Sequence, residues 1–222
     1  MSTYRGYAPP AGERSLVHGR AVFGQVMGLV AVTVGFTALG AYLGRNAPSG
    51  SGFIFLIAGF GCIFGLNFAQ RRGAHQLAVG LLFGLGVLLG LAFGPILNTY
   101  AQAEPSALYQ ATGSTAAFVA GLGAYGYATR RDLSGWYRGL FWALVALIGF
   151  GLVTLLISIP NGNLIYSLAG LGVFGAFTIF DFNRLRRAEM NDATMIAASI
   201  FLDVFNVFIL MLSLFGGGGG RR

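Results

Sequence analysis

Seven acidic residues occur in the chain, and two of them fall where a carboxylate is expensive. Asp203 stands ten residues into an apolar stretch that begins at Ala193, which at ~1.5 Å per residue puts it roughly 15 Å along a helix. Asp181 closes the preceding apolar stretch. An ionised carboxylate at mid-membrane depth costs at least about 2.5–3.5 kcal/mol, so it needs a partner, a cavity or a proton. Asp192, in the intervening loop, lies eleven residues from each of the two. In a symmetric hairpin of antiparallel helices the two carboxyls reach the same depth and can meet. Two carboxyls in contact in low dielectric cannot both ionise cheaply; they share a proton and titrate as a unit, which makes them a pH sensor. With both ionised they form a hard oxygen site for Ca²⁺, but a weak one, since a tight site takes about 6–8 oxygens. Weak, transient binding is what a conduction path requires. The structural alternative is a neutral Asp203 that only hydrogen-bonds a neighbouring helix.

The surroundings of the pair carry further polar groups. Ser199 and Asn206 lie four residues before and three after Asp203, a spacing that places all three on one helix face and predicts an inward polar stripe. Thr178, three residues before Asp181, is in position to hydrogen-bond it. Asn67, Gln70, Arg71 and Arg72 close an earlier apolar stretch. Either arginine is a candidate gating partner for Asp181, with head-group anchoring as the alternative role. No enzyme constellation is visible: His18 and His75 stand apart, Cys62 is the single cysteine, and no serine sits in a nucleophile motif. The Gly-Leu-Gly-Val-Leu-Leu-Gly run at 84–90 lacks the strand that a phosphate loop requires. Paired aspartates hydrolyse peptides in some membrane enzymes, but a Gly-rich motif beside Asp203 is missing. The chain is therefore read as a non-enzyme without a resident cofactor.

The elements that must position these groups follow from hydropathy. The chain of 222 residues is 55% hydrophobic and 9% charged, with a mean hydropathy of +0.71. Too few charges remain to coat a water-facing surface. A hydrocarbon core takes about 20 apolar residues to cross, and seven segments qualify: 21–43, 53–69, 77–97, 112–128, 140–159, 164–180 and 193–215. The fold class expected is an all-α integral membrane bundle of seven transmembrane helices. Residues 1–20 are expected as a basic cytoplasmic tail and 216–222 as a Gly-rich tail. The break at 158–163 is uncharged, but Pro-Asn-Gly is a strong turn signal. All 14 basic residues are arginines. With seven spans, eleven fall on the side of the N-terminus and three on the other, which places the N-terminus in the cytoplasm. Short basic clusters between spans are topology signals; nucleic-acid binding needs an extended basic face. Small-xxx-small pairs such as Gly40/Gly44, Gly86/Gly90 and Gly90/Gly94 predict close helix packing within the chain.

Three segments together resemble the Bax inhibitor-1 (transmembrane Bax inhibitor motif) family, in a prokaryotic form. They are Thr115-Ala116-Ala117-Phe118 running into Tyr125-Gly126-Tyr127-Ala128-Thr129-Arg130-Arg131-Asp132-Leu133-Ser134, the Phe180-Asp181 pair, and Leu202-Asp203-Val204-Phe205-Asn206-Val207-Phe208. The resemblance implies a last helix surrounded by the others and a pH-sensitive Ca²⁺ leak controlled by an aspartate pair, here Asp181 and Asp203. It also implies that an arginine of the second helix, Arg71 or Arg72, can engage Asp181. Where many relatives show Tyr-Asp-Thr-Gln, this chain has Phe180-Asp181-Phe182-Asn183. The competing expectation is a regulatory protein that acts on a membrane protease or a stress response. Expected partners are the lipid bilayer, Ca²⁺ and another membrane protein, in a bacterial plasma membrane.

Overall fold

A computed structural model describes residues 11–48, 50–157 and 159–217. Seven long helices account for nearly all of them: α1 (Ala11–Gly44), α2 (Ser51–Arg71), α3 (His75–Ala103), α4 (Pro105–Ala128), α5 (Trp136–Leu156), α6 (Gly162–Leu185) and α7 (Ala193–Gly216), with a 3-10 turn at Met190–Asp192 before the last. Six of the seven are long and apolar enough to cross a membrane. The exception is α4, which carries Gln110, Thr112, Ser114 and Thr115. It nevertheless runs the length of the bundle, returning the chain to the end where α3 began. The outer surface is apolar, with Phe64, Trp142 and Leu156 all exposed, as a surface that meets lipid requires.

Helix ends depart from the hydropathy reading because polarity does not break a helix. The first helix begins at Ala11, so half of the expected tail, including Arg14 and His18, is helical; residues 1–10 and 218–222 lie outside the described residues. The expected break at 98–110 shrinks to Glu104 alone, where Pro105 takes the first position of α4 with its φ already set. Ser158 of the uncharged break lies outside the described residues, and the turn that follows places Asn161 in the left-handed region at φ 57° just before α6.

α7 lies at the centre, packed against α1, α3, α4 and α6 and touching α2. Phe201, Ile196 and Ile200 are almost fully enclosed in the core it shares with Val22, Val26, Leu66, Leu82 and Leu85. α5 is peripheral, its one substantial neighbour being α6. The α1–α3 contact is the closest in the bundle and depends on glycine. A Cβ on Gly44 would come 2.7 Å from the carbonyl oxygen of Leu91, and one on Gly94 would come 2.7 Å from that of Ala41. Gly40 and Gly90 lie in the same seam, against the backbones of Val87 and Thr37. The pair Gly24/Gly28 has open space around it.

Candidate functional site: a buried aspartate pair beside a cavity

α6 and α7 run antiparallel and adjacent, and they bring Asp181 and Asp203 within hydrogen-bonding reach of each other. Each aspartate is only 5% exposed. Oδ2 of Asp203 is buried with no hydrogen-bond partner among the described residues. The hairpin is not symmetric about Asp192. Asp181 lies four residues before the end of α6 and Asp203 ten after the start of α7, so the first turns of α7 overhang the end of α6 by about 9 Å at ~1.5 Å per residue. The linker 186–192 and its 3-10 turn span that offset.

The pair opens on a cavity of about 970 Å³ lying between α2 and the α5–α6 pair, with α7 as its floor. Ser199 and Asn206 line it beside Asp203, as the stripe predicted. Asn206 also donates through Nδ2 to the carbonyl of Leu202 at 2.7 Å. Thr178 is fully buried, but its hydroxyl donates to the carbonyl of Phe174 at 2.8 Å instead of to Asp181. Arg71 and Arg72 are both exposed and line no part of the cavity. The Arg72 guanidinium lies over the Phe68 ring, 4.1 Å from its centroid. In this conformation the cation acting on Asp181 is Arg184, one turn further along the same helix. Neither hydropathy nor charge order separates a guanidinium on α2 from one on α6; only the packing of α2 away from α6 does.

A second polar cluster closes the arginine-bearing end of the bundle. Asn183 is fully buried, and its Nδ2 reaches the carbonyls of Gly126, Thr129 and Arg131 at 3.2–3.3 Å. Its Oδ1 accepts a hydrogen bond of 2.5 Å from Arg187. Arg187 in turn holds Asp132 through an ion pair of 2.8 Å. The Ser134 backbone N–H donates to Asp132 at 2.9 Å and, with Arg187, holds its carboxyl down to about 2. Gln70 donates through Nε2 to the carbonyl of Asn191, so the ends of α2, α4, α6 and the start of α7 gather at one face. In the sequence Asn183 stands out only as a departure from the Tyr-Asp-Thr-Gln of many relatives. Its signal is a lone amide between apolar and basic residues at a helix end, next to carbonyls left over where α4 terminates.

An all-helical bundle with an acidic pair buried between its last two helices defines a polytopic membrane protein built around an internal titratable site. The family model described as "Inhibitor of apoptosis-promoting Bax1" matches residues 19–220, and the chain belongs to that Bax inhibitor family. It is 31% identical over 198 residues to an uncharacterized protein of Pseudomonas aeruginosa, covering 87% of each chain. It is 32% identical over 131 residues to an uncharacterized membrane protein of Vibrio cholerae, covering 58% of this chain and 59% of that one. A Golgi anti-apoptotic protein of vaccinia virus is 30% identical over 200 residues, 88% of this chain and 83% of the viral one.

Proposed function

We propose that the chain is a pH-sensitive calcium leak channel in which Asp181 and Asp203 sense protons and gate the ion. The observation that carries this reading is the contact of two buried carboxyls on neighbouring helices at the edge of a cavity. A proton held in common ties α6 to α7. Its loss sets two like charges against each other, which favours either their separation or a cation between them. Ser199 and Asn206 add neutral oxygens to the same face, and the set remains too sparse for tight Ca²⁺ binding, as passage demands. Arg184, rather than Arg71 or Arg72, is the gating partner of Asp181 and competes with Ca²⁺ for it. The host is a bacterial plasma membrane, with the N-terminus in the cytoplasm.

Ca²⁺ entry into dye-loaded liposomes, followed against pH, tests the reading. Wild-type flux should change with pH, and both Asp181→Asn and Asp203→Asn should flatten that change. An Asp203→Asn protein that keeps the wild-type profile removes the pair from the mechanism.

A regulatory role has one observation in its favour, the name of the vaccinia relative. On that reading the chain acts by binding another membrane protein, such as a protease, without transport. Copurification of a stoichiometric membrane partner together with absent flux in liposomes would select it.

A further inference from the structure

The cavity is far larger than a Ca²⁺ site requires. A bare divalent cation is held by oxygens at about 2.3–2.6 Å, whereas about 970 Å³ is the size of a pocket that encloses a drug-sized organic molecule. Its walls are aromatic on every side: Phe60 from α2, Phe93 from α3, Tyr137 from α5, Phe177 and Phe180 from α6, and Phe205 from α7. Asp203 is 95% buried by its 5% exposure, lines this space, and has an Oδ2 with no donor among the described residues. The other charged groups lining the space are Asp181 and Arg184 on α6, Arg187 after it and Asp192 before α7; α2, α3 and α5 contribute none. Arg187 is held by Asp132 and Arg184 is exposed at the mouth. The inner part of the cavity is therefore anionic at one point and apolar elsewhere, with aromatic rings interleaved among leucines and isoleucines.

We propose that this cavity binds a hydrophobic organic cation, its charge held by Asp181 and Asp203 and its apolar groups filling the aromatic space between α2 and α5. Aromatic faces attract a cation within about 6 Å of the ring centroid, so walls and carboxyls favour the same charge. A lipid tail would fill the apolar volume but leave Asp203 without a counterpart. The inference shares its aspartates with the proposed leak, yet it concerns equilibrium occupancy and needs no ion movement.

The test is equilibrium binding of tetraphenylphosphonium to the full chain in lipid nanodiscs without Ca²⁺, beside the neutral probe triphenylphosphine oxide. The cation should bind saturably and at least about tenfold more tightly than the neutral probe. Asp203→Asn should lose that preference, Phe180→Ala should weaken cation binding, and the lipid-facing Trp142→Ala should leave it unchanged. Equal binding of the two probes to the wild-type chain overturns the proposal and makes the cavity a lipid groove; unsaturable cation binding overturns it as well. Because binding is read without Ca²⁺ and flux without the organic cation, failure of one leaves the other standing.

Discussion

Asn183 shows how much a single side chain can hold at the end of a helix. Its amide reaches three carbonyls and its oxygen accepts from Arg187, so Asn183→Leu removes the donor from all three and strands the buried one, that of Gly126. A buried group stranded in this way costs about 1–3 kcal/mol. The variant should melt measurably below wild type in detergent, and an unchanged melting temperature would show that water replaces the amide. Asp132 gives a pH prediction at the same scale. Its carboxyl is held down to about 2 by the Ser134 N–H and Arg187, against ~3.9 in an unfolded chain. A depressed carboxyl stabilises above its unfolded value and loses that contribution as pH falls through its folded one. The gap in thermal stability between wild type and Asp132→Asn should therefore be widest above about pH 4 and close toward pH 2. Scanning both proteins across that range checks it; a constant gap denies the ion pair a part in stability.

Among the helices, those that cross lipid announced themselves and their ends did not. Apolar length, which is what the bilayer selects, accounts for six of the seven; α4 falls where a segment was expected but is too polar to qualify as a span, and the inward stripe through Ser199, Asp203 and Asn206 does line the cavity. Hydropathy started α1 too late and stopped α3 too early because Glu13, Arg14, Asn98 and Gln102 are polar yet keep their backbone hydrogen bonds as helix. The meeting of Asp181 with Asp203 was anticipated from a symmetric hairpin, whereas the hairpin is offset and the carboxyls meet because α7 starts higher. The partner of Asp181 was illegible because it depends on which helix lies beside α6. Glycine spacing alone did not separate seams from exposed faces, and the structure does. Gly44→Val should break the α1–α3 seam and cost the protein its folded yield, since its Cβ would sit 2.7 Å from the Leu91 oxygen. Gly28→Ala, in open space, should fold as well as wild type or gain up to about 1 kcal/mol from helix propensity. Comparing the monodisperse fraction of the two variants after extraction checks both.

At the level of the whole molecule, the loops after α2, α4 and α6 gather at one face through Gln70–Asn191 and Asp132–Arg187. Most of the arginines lie there too, which predicts that this face is cytoplasmic. In a Cys62→Ser background, a membrane-impermeant maleimide applied to intact bacteria should label Asn46→Cys and spare Asn191→Cys; the reverse pattern inverts the topology. α7 is enclosed by α1, α3, α4 and α6. α5 differs, because it leans chiefly on α6 and presents Phe141, Trp142, Ile148 and Leu152 outward. One side of the aromatic chamber is thus a wall with a single hinge line, pressed from outside by acyl chains. Its width should therefore answer to the thickness and lateral pressure of the host bilayer, and a spin-label distance from α5 to α2 that is the same in thin and thick membranes would deny the chamber that variable gauge.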